Sequence, residues 1–319
     1  MARLVPRHVR PHEPKPRRRL PRLLALLGTL ALLAGVALPL QRAGALRQSQ
    51  AVWSIKCNHS HSAPDDPIVF PALAGRSHLH DFFGNVSVDA NSTTASLART
   101  AGSTCLRGMG EADKADYWTP ALLRNGRAVT GSTDELRIDA YYAVLDKPLP
   151  VRPMPLGLRM IAGDSGARTA QPINIVHYNC LYYPRGGQAT KKSAAIPSCP
   201  PGTYLSAKID FPSCWDGVNL DSPDHKSHMA YPNRGVCPVS HPVGLPALGI
   251  RLRWKAARGI PSSQLSLSSG GQQTMHADFW NVWSTSVMRW LVDNCLNATR
   301  NCTDIARNQI PVATGSFTG

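Results

Sequence analysis

Eight cysteines constrain this chain more than any other feature of its sequence. They stand at Cys57, Cys105, Cys180, Cys199, Cys214, Cys237, Cys295 and Cys302, and all of them follow an apolar run of eighteen residues, LLALLGTLALLAGVALPL (23–40). A strongly basic segment, RHVRPHEPKPRRRLPR (7–22), precedes the run, and RAGALRQ (42–48) follows it. Ala43 and Ala45 satisfy the small-x-small rule for signal-peptide cleavage. Residues 1–45 therefore read as a signal peptide, with 46–303 a secreted domain and 304–319 a flexible tail. An uncleaved leader is the one expected route to a membrane, since eighteen apolar residues just suffice to span it. An even cysteine count in an exported chain reads as disulfides, four in number. No C-x-x-C pair is present, which disfavours a zinc ribbon or a thioredoxin-type site. Proximity suggests Cys214–Cys237 and Cys295–Cys302 and leaves the other pairings open.

Between these staples the pattern is β-rich. Apolar and polar residues alternate in VWSIKC (52–57), ELRIDAYYAV (135–144), GLRMIAG (157–163), INIVHYNC (173–180), YLSAKIDF (204–211), LGIRLRW (248–254), QLSLSS (264–269) and MHADFWNVW (275–283). One stretch, STSVMRWLVDNCLNA (284–298), has helical spacing, with Val287, Trp290, Leu291 and Cys295 on one face and Ser284 or Ser286 at its start. A second short helix is expected in TTASLART (93–100). With 25 Gly, 27 Pro and only 17% charged residues, the expectation is a mainly β fold. It would be a single disulfide-stabilised β-sandwich or jelly-roll-like domain with long loops and one or two helices.

Charge excludes one class of partner. The net charge of +15 falls to +7 once the leader is removed, from 26 basic and 19 acidic residues. Those basic residues are scattered along the sequence, so a nucleic-acid footprint is not expected.

Histidine and aspartate carry the chemistry. SHLHDFFGN (77–85) holds His78, His80 and Asp81; SPDHKSHMAYP (222–232) holds Asp224, His225 and His228; MHADFWNVW holds His276 and Asp278. In extended backbone, residues two apart point the same way. His78 and His80 then share a face, as do His276 and Asp278, which suits a divalent metal ion held by His78, His80 and His276. The same residues could instead serve metal-free acid–base chemistry, or simply pin loops through hydrogen bonds. Glutamate is scarce (Glu13, Glu111 and Glu135), so carboxylate chemistry would lean on aspartates such as Asp81, Asp216, Asp221, Asp224 and Asp278. Trp215, Asp216 and Trp280 are the expected substrate-binding residues, tryptophan being suited to stacking on a sugar ring, although the spacing of Trp280 and Trp283 near a strand end favours a place in the core. The segment GDSG (163–166) lacks the remainder of a serine-protease signature and reads as a turn; no G-x-S-x-G or H-E-x-x-H occurs.

The strings DPIVFPALAGRSHLHDFFGN, PMPLGLRMIAGD, IDFPSCWDGVNLDSPDHKSHMAYP, CPVSHPVGLPALGIRLRW and MHADFWNVW together resemble a domain-of-unknown-function family, DUF1996, over nearly all of 53–302. Arg76 departs from that family's small residue at the same place. The resemblance implies a protein of filamentous fungi or actinobacteria, in a family whose members can carry carbohydrate-binding or wall-associated modules. It implies an extracellular setting with a polysaccharide or cell-wall glycan as partner, and supplies no reaction. The resulting expectation is a secreted protein acting on extracellular polysaccharide. A cleft lined by His78, His80, Asp224, His225, His228, His276 and Asp278 would carry the activity. The alternative is a non-catalytic cell-wall glycan-binding protein that uses the same cleft.

Overall fold

The computed structural model describes residues 51–310 apart from 101, 106–110, 130–135, 145–149, 183–188, 256–258, 304 and 306–308. The expected leader lies outside the described residues, as does most of the expected tail. No helix among the described residues is long and apolar enough to cross a membrane.

Strand β1 (Val52–Ala63) is followed by β2 (His80–Gly84), helix α1 (Thr94–Arg99) and β3 (Asp116–Pro120). A small hairpin of β4 (Leu122–Arg124) and β5 (Arg127–Ala128) precedes β6 (Leu136–Ala143). Then come β7 (Arg159–Gly163), β8 (Val176–Tyr182) and β9 (Thr203–Asp210). The two-residue strands β10 (Cys214–Trp215), β11 (Met229–Ala230) and β12 (Val243–Gly244) form a separate small sheet. The chain continues through β13 (Ala247–Trp254), β14 (Leu265–Leu267), β15 (His276–Trp280) and α2 (Thr285–Leu291), which runs on into a π-helical turn, Val292–Leu296.

Nine strands make one antiparallel sheet in the order β7-β15-β3-β2-β1-β6-β13-β9-β8. Its corner is β1. Residues 52–58 pair with β6, residues 59–63 pair with β2, and the register slips between His59 and His61. A bulge in a shared strand lets a sheet turn while keeping its ladder. The sheet curls until β7 approaches β9. Between its two halves lies the main core, which includes Trp53, Tyr117, Tyr142, Ile250, Trp254 and Phe279.

Alternation explains the half built on β6, β13 and β9: Leu136, Ile138, Ala140 and Tyr142 face in, and Arg137, Asp139 and Tyr141 face out. The other half is different. Phe83, Tyr117 and Phe279 enter the main core, while Phe82, Trp118 and Trp280 enter a second cluster with Ile68, Val88 and Leu97 of α1. Strands β2, β3 and β15 are therefore buried on both faces. This is why DYWTP of β3 shows no alternation in the sequence.

Four disulfides are present: Cys57–Cys105, Cys180–Cys199, Cys214–Cys237 and Cys295–Cys302, the last two being the pairs suggested by proximity. Ser284 occupies the N-cap of α2, but its hydroxyl makes no capping bond and instead meets Ser286.

Candidate metal centre

Gly84 and Asn85 place the SHLHDFFGN segment. Gly84 has φ +96°, and a Cβ there would lie 2.3 Å from the Ala115 carbonyl oxygen, so only glycine fits the close approach to β3. Asn85 is wholly buried; its amide donates to the carbonyls of Leu97 and Lys114 and its oxygen accepts from the Ser87 amide. Phe82 and Phe83 point to opposite faces and anchor the strand in two cores at once.

His80 lies on the outer face of β2, opposite Pro120 of β3. On the far side of β3, Asp278 pairs with Trp118, and continuing that register by two residues brings His276 opposite Pro120 as well. Two imidazoles thus reach toward each other over a proline ring. Their Nε2 atoms are 3.3 Å apart. His78, in the loop just before β2, closes the group, its ring centroid 4.2 Å from that of His80 and 5.1 Å from that of His276. One nitrogen from each of the three rings lies within 4.8 Å of the others.

The hydrogen bonds fix what the facing nitrogens are. His80 Nδ1–H donates to the Asp65 carbonyl at 2.8 Å, and His276 Nδ1–H donates to the Thr274 carbonyl at 2.9 Å. A neutral imidazole has one N–H, so each Nε2 carries a lone pair. Burial drives both pKa values down, His276 to about 4 and His80 well below its usual value, with the neighbouring histidines adding to the effect. Burial also lowers the His78 pKa, and its buried Nε2 has no hydrogen-bond partner among the described residues. Two lone pairs therefore face each other with no proton to share, an arrangement that an electrophile between them would relieve. Two imidazoles at a metal–nitrogen distance of ~2.0–2.1 Å and a tetrahedral angle would sit ~3.3–3.4 Å apart, which is the observed separation.

Asp278 stands beside the group, its Oδ2 3.8 Å from His276 Nε2, and both its oxygens are buried with no hydrogen-bond partner among the described residues. Burial first, and then Asp66 and Asp116, hold its pKa well above the usual carboxylate range, against the opposing pull of Lys226. Asp66 is itself occupied, accepting from the amides of Ile68 and Val69.

The remaining expected site residues are placed elsewhere. Asp224 is an exposed loop-builder that accepts from Ser222, from the Ser227 amide and hydroxyl, and from the Lys226 amide. His225, in the left-handed region at φ 56°, bonds to Asp221, which also pairs with Arg159. His228 has both nitrogens occupied, Nδ1 by Ser222 Oγ and Nε2 by the Arg159 carbonyl at 2.7 Å, so it pins the 222–228 loop to β7. Trp215 and Asp216 build the turn after β10, through Trp215 Nε1–H to the Asn219 carbonyl and Asp216 Oδ1 to two amides. Trp280 is fully buried, with the Arg159 guanidinium 4.1 Å from its ring centroid, and offers no face to a sugar.

Two contributors were legible but unread. HSH (59–61) repeats the H-x-H spacing: His61 stacks on Phe82, and His59 meets Ser62 and the buried Asp81. The backbone supports, Asp65 and Thr274, carry no sequence signal because they act through carbonyls. A second group of metal-ligating type, Cys57, Cys105 and Asp113, is closed to metal because its two sulfurs are bonded to each other.

No curated protein and no solved structure matches the chain. The model of one family, domain of unknown function (DUF1996), matches residues 66–283, a span that includes all three histidines and Asp278. The chain belongs to the DUF1996 family.

Proposed function

We propose that this is a secreted, metal-dependent protein acting on extracellular polysaccharide, with His78, His80 and His276 as the metal ligands. The observation that carries the metal is the 3.3 Å approach of two Nε2 lone pairs whose partner nitrogens are both committed to carbonyls. Neutral imidazoles suit zinc, copper, nickel or iron. Three protein ligands leave a coordination position open, as reactive rather than structural sites do. A metal held there would supply Lewis-acid polarisation of a substrate oxygen and activation of water.

The chain's own residues prepare the site. The carbonyls of Asp65 and Thr274 fix the ring tautomers and orientations. Burial holds the Asp278 pKa well above the usual carboxylate range, which disfavours an anionic charge beside the histidines. The half-exposed His78 forms the mouth, next to the exposed segment 71–76. Four disulfides suit an oxidising, extracellular setting, and the polysaccharide follows from the setting that the family resemblance implies.

The test is elemental mass spectrometry on residues 46–319, oxidised and without a His tag, beside a His78→Ala/His80→Ala variant and a His228→Ala control. Roughly one transition-metal ion per chain, lost in the double variant and kept in the control, is expected. Metal absent from all three after supplementation refutes the metal centre. The polysaccharide reading is tested separately, by release of new reducing or unsaturated ends from a glycan panel. Glycan binding without any turnover refutes catalysis.

A further inference from the structure

The second half of the sheet presents an outer face separate from His78, His80 and His276. One row crosses five strands in register: Lys56, Asp139, Arg251, Lys208 and His177. The next row is Asn58, Arg137, Arg253, Ser206 and Asn179. Five cations therefore stand on the face beside two carboxylates, those of Asp139 and Asp210. Among the described residues Asp139 pairs with Arg253 and Asp210 with Lys208.

The pairing breaks a general rule of sheets. Arg137 lies directly opposite Arg253, and Arg251 directly opposite Lys208. Like charges at such positions, with Cβ atoms ~5 Å apart, destabilise a sheet. Neutral residues in place of Arg137 and Arg251 would relieve this opposition, since Arg253 and Lys208 are the members that hold the two carboxylates. Locally unfavourable choices of this kind belong to function. Burial lowers the Lys208 pKa, opposed by Asp210, and Arg251 and Lys192 lower it further. Among the described residues, polar atoms at the floor of the face also lack hydrogen-bond partners: Ser206 Oγ, one Asp139 oxygen that is not bound to Arg253, and the Nε atoms of Arg251 and Arg253.

We propose that this face binds an anionic polysaccharide, with its carboxylate or phosphate groups lying across the Arg137–Arg253 and Arg251–Lys208 pairs. Guanidinium forks match both groups in a two-bond geometry. The anionic character follows from the face alone; the polymer class rests on the polysaccharide reading above.

The experiment measures binding of the secreted chain to polygalacturonate, to a poly(glycerol phosphate), to neutral dextran and to single-stranded DNA. The variants are Arg137→Gln/Arg251→Gln, which removes one member of each opposed pair, and His78→Ala/His80→Ala. Either anionic polymer should bind and the dextran should not, with affinity falling at least ~10-fold between about 50 and 200 mM salt. The arginine variant should lose at least ~10-fold in affinity while melting no lower than the wild type, because it relieves repulsion. The histidine variant should bind as the wild type does, so failure of the metal centre and failure of this face are told apart. Unchanged affinity in the arginine variant, or equal binding of dextran, overturns the proposal. Preference for DNA over both anionic polymers overturns the glycan as partner.

Discussion

Asp113 should make the fold lose stability as pH rises. It is fully buried; its Oδ1 accepts from the Ala115 amide and its Oδ2 from the Tyr117 hydroxyl. Tyr117 meets Tyr142 at 2.5 Å, and Tyr142 accepts from Trp283 Nε1–H, so the whole network is enclosed in the core. Burial pushes the carboxyl up to about 8, against 3.8 for an unperturbed aspartate, the two accepted hydrogen bonds opposing the shift. Between those values the folded chain holds a proton that the unfolded chain has lost. Stability then falls by ~1.4 kcal/mol per pH unit from this group, or ~2.7 kcal/mol between pH 5 and pH 7, and levels off above the folded-state value. Asp113→Asn keeps an acceptor for the Ala115 amide and removes the titration. Any packing penalty of the variant is independent of pH, so the slope isolates the effect. Urea denaturation of both proteins at half-unit steps from pH 5 to pH 7 reads that slope. The variant's stability should fall less steeply by ~1.4 kcal/mol per unit. Equal slopes would mean that Asp113 is ionised in the fold, and would refute the reasoning.

Two further outcomes follow from packing and chain topology. Gly84→Ala would set a Cβ 2.3 Å from the Ala115 carbonyl at φ +96°; it should cost more than ~2 kcal/mol in chemical denaturation and weaken metal retention, because β2 carries His80. Removing Cys57–Cys105, with a sequence separation of 48, should cost ~4 kcal/mol as a Cys→Ala pair. Removing Cys295–Cys302, with a separation of 7, should cost ~2.5 kcal/mol. The reverse order in melting experiments would show that loop closure does not govern their contributions.

Much of the fold was legible because burial on one face writes a period of two into the sequence. Strands β6, β9 and β13 follow that rule, and each matches an alternating segment within one residue at either end. Strand β3 does not, since both its faces are covered, and its Asp116 and Pro120 mimic a loop. The histidine spacing brought forward His78, His80, His276 and Asp278, and the structure places these four side chains close together. The same reasoning enlisted Asp224, His225 and His228, which instead hold the 222–228 loop through Asp224 Oδ1 and His225 Nδ1 and pin it to β7 through His228. It also passed over His59 and His61, which have the same spacing.

The sequence by itself determined the class of the molecule: an even set of cysteines, all beyond an apolar run, and a β-rich pattern with one persuasive helix. These are local properties, set by residue type and by spacing along the chain. Tertiary structure decided the rest. The meeting of His80 with His276 depends on two strands flanking Pro120, 196 positions apart in the chain, and on carbonyls that orient both rings. The opposed arginines of the outer face depend on the register between β6 and β13. Contacts of that kind arise from which strands pair and in what register, and a linear pattern of side chains does not encode either without the fold that joins them.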